Sequence, residues 1–308
     1  MSTTASELSP AASPPAPAPA PATAKPSAWA SALPMAGRHL FLIAFTVAVL
    51  WPVLWVVKMA LEPGQDFAFS LSPIPQHPSL DNFTRLVTHT DSQGRWLFGR
   101  QLWNSFAIAT SAALLGIFLS ATAAYAFSRF KFPGRRAGLL AFLATQMFPG
   151  TMMMIPLYLL LSALHLLDSM AGLILVYATT SVPFSVWNLK GYFDTIPKEL
   201  EEAAIIDGAS QSRIFWTIIV PLSAPAIAIT ALFSFMTAWN EYILAAKFMD
   251  SELHYTLPVV VNGAVGSKSV RWGDFAAGAV LVSAPVVALF LGLQRFIVGG
   301  LTAGGVKG

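Results

Sequence analysis

The chain has 308 residues, of which 55% are hydrophobic and 11% charged, with a formal net charge of +3. A soluble domain carries about 25% charged residues, so this composition excludes a soluble globule, a coiled coil or a disordered protein for the bulk of the chain. There is no cysteine, which excludes disulfides, Cys-ligated metals and thiol nucleophiles.

What remains is an all-α polytopic membrane protein, because backbone groups in lipid must bond within their own segment. Its basic residues then read as topology signals, with no nucleic acid implied. Residues 1–37 read as a disordered Pro/Ala-rich cytoplasmic tail, and eight of the 22 prolines lie before residue 35. No signal peptide is expected, since the apolar run starts near residue 40 and no small-residue cleavage site follows it.

Charges are sparse enough for the gaps between them to count the spans. Arg38 to Lys58 encloses 19 uncharged residues, Arg100 to Arg129 28, Arg136 to Asp168 31, Asp168 to Lys190 21, Arg213 to Glu241 27 and Asp274 to Arg295 20. A helix crossing a bilayer needs about 20. Six spans are predicted, at Leu40–Val57, Trp103–Phe127, Leu139–Leu161, Ala171–Leu189, Ala224–Ala245 and Phe275–Leu293. The connection after the second span, Arg129-Phe130-Lys131-Phe132-Pro133-Gly134-Arg135-Arg136, holds four basic residues and no acid. That places it, and both termini, in the cytoplasm of a cell whose cytoplasmic (inner) membrane the chain crosses.

The cytoplasmic loop from Lys190 to Leu222 has a regular pattern. Thr195 and Pro197 are start signals, Glu199, Glu201 and Glu202 suit the positive end of a helix dipole, and Gly208 is a stop signal. Ser210 can cap a second helix that ends near Pro221. Two readings stay open: a surface helix folded back on its own bundle, or a plug for a cytoplasmic partner.

Polar residues in or beside the spans include Asn104, Gln146, Asn188, Asn240 and Glu241. Trp239, Asn240 and Glu241 supply residue types that bind sugar, but they lie near a span end. There Glu241 could equally meet water or pair with Lys247. Met147 and Met152 to Met154 could line a deformable gate or simply pack. The histidines show no metal-ligand spacing. Gly263-Ala264-Val265-Gly266-Ser267-Lys268-Ser269 lacks the spacing of a phosphate-binding loop. No catalytic residue and no metal site is expected.

Glu202-Ala203-Ala204, three residues, Gly208, nine residues and Ile218-Ile219-Val220-Pro221 together resemble the EAA loop of ATP-binding cassette importer permeases. Val220 stands where that pattern has Leu. Trp272-Gly273-Asp274-Phe275-Ala276-Ala277, Tyr125-Ala126-Phe127-Ser128-Arg129, Gln146-Met147-Phe148-Pro149 and the Gly-rich C-terminus resemble the MalG-type permease subunits of maltose/maltodextrin importers.

The resemblance implies a six-helix permease domain over residues 38–298, of the type I importer fold, with a coupling helix in the loop 190–222. It also implies a Gly-rich cytoplasmic tail over 299–308. It assigns ATPase coupling to Glu199, Glu202, Ala203, Ala204, Asp207, Gly208 and Pro221. Contact between the tail and the ATPase falls to Leu301, Thr302, Gly304 and Lys307. Asn262 and Gly263, near Val265, fall in the position of a loop that meets the binding protein. Gln146, Asn240 and Glu241 are the candidates for a substrate pathway.

The implied partners are a MalF-like second permease, a MalK-like ATPase homodimer, an extracytoplasmic sugar-binding protein and membrane lipid. The chain itself would hold no cofactor, with ATP and Mg on the partner ATPase. Maltose or maltodextrin is the expected cargo. Trehalose, another oligosaccharide or glycerol phosphate are the alternatives, and an ion-coupled transporter the more distant one.

Overall fold

The computed structural model describes residues 28–67, 72–266 and 270–305, with side chains over 35–67, 72–266 and 270–294. The expected tail therefore lies largely outside the described residues, although helix α1 (Ala28–Leu61) already opens at Ala28. The chain divides into two units, residues 1–51 and 52–308. In the first, Leu40, Phe41, Ile43, Phe45 and Val47 are all exposed on the uncharged stretch of helix that follows Arg38.

The second unit holds the remaining elements: α2 (Asp81–Val87), α3 (Phe98–Arg129), α4 (Arg135–Gln146), a 3-10 turn (Gly150–Met153), α5 (Met154–Ala163) and α6 (Met170–Phe193). They continue with α7 (Glu199–Ile206), α8 (Gln211–Ile214), a π-helical turn (Phe215–Ile219), α9 (Val220–Leu222) and α10 (Ala224–Asn240). The last three are α11 (Ala245–Phe248), α12 (Leu257–Gly263) and α13 (Trp272–Gly305). No regular strand occurs among the described residues.

The centre is α3, packed most extensively on α6 and then on α10. The cause is a stripe of small residues at helical spacing. Ala109, Ala112, Ala113, Gly116, Ser120, Ala121 and Ala124 are all buried along one side of α3. Small side chains let helix backbones approach closely, which is the main source of helix adhesion in lipid. Ile108, Leu173, Tyr177, Phe235 and Trp239 fill one half of this core. Tyr125, Leu189, Phe193, Ile214 and Phe215 fill the other.

Among the described residues, four helices are long and apolar enough to cross a membrane, and six spans result if each of two bent helix pairs counts as one. The predicted third span is not one straight helix. It breaks by 97° between residues 135–146 and 150–163. Pro149 explains the break. It lacks an N–H and disfavours helical φ/ψ at Phe148, so α4 stops at Gln146. The predicted fifth span also ends early, at Asn240 rather than Ala245. It meets the α8–α9 arm at a 79° bend. Pro225 sits in the first turn of α10, where its missing donor costs nothing.

Candidate functional site

The loop between α6 and α10 builds its own short helix. Three acids, Glu199, Glu201 and Glu202, occupy the first turn of α7, at the positive end of its dipole. No side chain caps it, and the Thr195 hydroxyl donates instead to the Tyr192 carbonyl (2.7 Å). The end is tightly made. Gly208 N–H donates to Ile205 O and Ala209 N–H to Ala204 O, both at 2.9 Å. This reverse turn requires a left-handed residue, and Gly208 has φ +81°. Ser210 Oγ accepts from Arg213 N–H, so α8 starts as expected.

The two faces of α7 do different things. Glu201 is buried and turned into the bundle. Its carboxylate accepts from Arg129 Nε (2.5 Å) and from the Tyr125 hydroxyl (2.9 Å), both on α3. Arg129 also donates to Ile196 O (3.0 Å), and Ser128 to Asp194 (2.6 Å). Burial pushes the Asp194 carboxyl up, but Lys190 and Ser128 outweigh it and hold it below the usual carboxylate range. On the other face Leu200, Ile205 and Ile206 are exposed, Ile206 to 86%. Glu199, Glu202, Ala203 and Asp207 are exposed with them, and Ala204 is half-buried. The inner face fits the reading of a helix folded back on its own bundle, and the outer face is left uncovered. Glu201 escaped the sequence reading, and the signal for it was Arg129, a cation ending a span with no acid beside it.

The polar residues near the spans separate on inspection. Trp239 is buried, and its indole N–H donates to Val282 O (3.1 Å), so it belongs to the core. Glu241 does not pair with Lys247. It accepts from the Tyr177 hydroxyl (2.6 Å) and from the N–H groups of Leu244 (2.9 Å) and Ala245 (3.2 Å). Asn240 is exposed and bonds back to Met236 O. Asn104 ties α3 to the carbonyls of Leu253 and Tyr255, and Asn188 donates to the Thr230 hydroxyl.

Gln146 stands apart. It sits at the break after α4 and lines a cleft of about 490 Å³ with Thr180, Ser181, Trp187, Ser234 and Thr237. It also lines an adjoining cleft of about 700 Å³ with Thr145, Thr179 and Met153. Neither Asn240 nor Glu241 lines either cleft. The hydroxyl residues of α6 and α10 were not singled out from sequence, because Ser and Thr occur throughout helices and often bond their own backbone.

At the other end of the bundle, Trp272-Gly273-Asp274 is a structural clasp. Asp274 is buried and meets Arg85 Nε (2.9 Å), Arg271 (3.3 Å) and Gln65 (3.1 Å). A Cβ on Gly273 would lie 2.4 Å from Gly64 O and 2.7 Å from the Asn82 side chain, so only glycine fits. Asn262 and Gly263 end α12, where Asn262 bonds to Pro258 O. Val265 beyond them is 46% exposed and bridges to Val270. Leu301, Thr302 and Gly304 continue the backbone of α13, but their side chains, like all of Lys307, lie outside the described residues.

The model of the binding-protein-dependent transport system inner membrane component matches residues 112–302. The chain belongs to that family. MalG, the maltose/maltodextrin transport system permease protein of Escherichia coli K12, is 37% identical over 88% of this chain and 95% of its own length. GanQ, the galactooligosaccharides transport system permease protein of Bacillus subtilis, is 38% identical over 88% of this chain and 94% of its own. A chain of a bacterial ABC transporter involved in import of the acidic polysaccharide alginate superposes with a TM-score of 0.69 at 22% identity. It covers 89% of this chain and 99% of that one.

This permease therefore has the all-helical type I importer fold. The family match contains the Arg129–Glu201 pair, the two bent helix pairs and α7 within its bounds.

Proposed function

We propose that this chain is a MalG-like permease subunit of an ATP-driven sugar importer, with maltose or maltodextrin as cargo. The observation that carries the reading is α7, anchored through Glu201 on one side and presenting Leu200, Ile205 and Ile206 on the other. Such a helix suits a cleft on an ATPase. ATP with Mg binds on that partner, an ATPase pair, and its closure pushes α7 as a lever. Glu199, Glu202, Ala203, Ala204 and Asp207 line the contact, Gly208 and Pro221 shape the loop, and the tail with Leu301, Thr302, Gly304 and Lys307 reaches the same partner. Both termini are cytoplasmic.

A second permease closes the passage, and an extracytoplasmic sugar-binding protein delivers cargo near Asn262 and Gly263. Sugar passes the clefts around Gln146, whose amide and neighbouring hydroxyls match sugar hydroxyls. An ion-coupled transporter fits less well. It needs an ionisable group free within the membrane, and Glu241 is already engaged by Tyr177 and two N–H groups. A different oligosaccharide is the stronger second reading, favoured by the 38% identity to a permease named for galactooligosaccharides.

The test is ATP hydrolysis by the co-purified complex with its binding protein, across maltose, maltotriose, trehalose, a galactooligosaccharide and glycerol phosphate. Stimulation by maltose or maltotriose is expected. Stimulation by another ligand alone keeps the machine and replaces the cargo. Uptake driven by an ion gradient, with no ATPase co-purifying, overturns the reading.

A further inference from the structure

Three cations surround one cavity at the ends of two spans. The cavity, of about 470 Å³, is lined by Arg135, Arg136 and Lys190 with Phe132, Gly134 and Leu139, and no acid lines it. Lys190 lies in the last turn of α6, and the other two open α4, just beyond the end of α3. The positive charge is only partly neutralised. Lys190 Nζ pairs with Asp194 (2.6 Å) and Arg135 Nε donates to the Phe127 carbonyl (2.7 Å). Arg136 is exposed, with no hydrogen bond or ion pair among the described residues.

The surroundings change from charged to apolar along α4. Leu140, Leu143 and Met147 follow the cations and are exposed, at 55%, 43% and 84%. Trp187, one turn before Lys190, is exposed and donates its indole N–H to Leu139 O (3.3 Å). A tryptophan so placed, apolar face outward and N–H engaged, is typical of the headgroup level of a bilayer. Cations at that level, beside an apolar track running into the membrane, match a molecule with a negative head and a hydrocarbon tail. Basic pockets between transmembrane helices bind anionic lipid headgroups in this way.

We propose that Arg135, Arg136 and Lys190 form a binding site for the phosphate headgroup of an anionic phospholipid, whose acyl chain lies along the exposed face of α4. A free phosphate shares the head chemistry but has no use for the apolar track. The site braces the break after Gln146, because α4 is the upper arm of the bent span.

The experiment uses the intact transporter, purified with its partner chains and equilibrated with equal amounts of phosphatidylglycerol and phosphatidylcholine. Retained lipid is counted by native mass spectrometry. The wild type is expected to prefer phosphatidylglycerol. Arg136→Gln should reduce that preference by about fivefold, the contribution of one cation near an anionic surface, whereas Arg136→Lys should keep it. Because the Arg136 side chain has no partner among the described residues, its replacement should leave folding intact. Equal retention by the wild type and Arg136→Gln overturns the site. No preference in the wild-type complex means that a partner chain covers the cations, and overturns it too. Binding of inorganic phosphate that Arg136→Gln abolishes, with lipid retention unchanged, overturns the lipid as occupant.

Discussion

Each end of the bundle buries one carboxylate against arginine, and the two arrangements differ in where the arginines lie. Arg85 and Arg271, the partners of Asp274, are about half exposed, at 51% and 55%. Arg129, the partner of Glu201, is 7% exposed. If Asp274 is removed, its arginines can turn to water. If Glu201 is removed, Arg129 is left charged and buried. The Asp274 clasp therefore tolerates partial loss, while the Arg129–Glu201 pair holds or fails as a unit. The unforgiving pair is the one that joins α3, the most packed helix, to α7, the helix with a free apolar face. The pair is thus a stiff tie between α7 and α3.

The largest effect should follow from breaking the buried pair. Glu201→Gln or Arg129→Met alone should destabilise the subunit by about 3–5 kcal/mol, the usual result of orphaning a buried charge. Thermal unfolding of the detergent-purified complex measures this. The Glu201→Leu/Arg129→Met double variant should recover most of the loss. Single variants as stable as the wild type would erase the contrast between the two ends.

Asp274→Asn should cost less, roughly 1.5–3 kcal/mol for charged hydrogen bonds lost with exposed partners. Arg85→Ala and Arg271→Ala should each cost about 1 kcal/mol, the net worth of one hydrogen bond, since the other arginine and Gln65 still serve the buried Asp274 carboxylate. The same unfolding assay ranks them. An Asp274→Asn variant less stable than Glu201→Gln would reverse the ordering argued from exposure.

Gly208→Val tests the free side of α7. Its backbone lies in the left-handed region, which costs other residues about 1–2 kcal/mol. The modest destabilisation should leave the chain in the membrane, while sugar-stimulated ATP hydrolysis falls sharply as the exposed face is re-aimed. Full stimulation in this variant would remove α7 from the coupling route.

The smallest effect concerns the turn between α5 and α6. Asp168 accepts from the N–H groups of Asp250 (3.0 Å) and Ser251 (3.1 Å) and lies 2.9 Å from His254 Nδ1. Burial raises its pKa, but Ser251, Asp250 and His254 outweigh burial and hold it below the ordinary 3.8. A depressed carboxyl adds stability above its unfolded pKa and loses it as pH falls through the folded value. Stability from this group should therefore be flat from pH 5 to 8 and decline only below about pH 4. Asp168→Asn should flatten that acid limb in a pH series of unfolding temperatures. A loss already complete at pH 5 would mean that Asp168 does not control the acid limb.

Much of this protein is written locally. The gaps between charges locate the membrane-crossing segments, because a charge is too costly to leave in hydrocarbon. The acids of Glu199 to Glu202, Gly208 and Ser210 specify a helix, a turn and a second helix, since caps, dipoles and positive φ act over a few residues. The bends were written too, in Pro149 and Pro225. Each proline constrains its neighbours, but the amount of turning depends on what the two arms pack against.

Tertiary structure decided the partners. That Glu201 and not Glu199 or Glu202 faces inward depends on where Arg129 ends, 72 residues earlier in the chain. That Glu241 serves Tyr177 and not Lys247, and that Gln146 shares a cleft with hydroxyl residues of α6 and α10, depends on how the helices cross. A single sequence sets the reach and chemistry of each side chain. Only packing fixes which groups come within 3 Å of one another, and at that range buried charge and hydrogen bonding settle what each residue does.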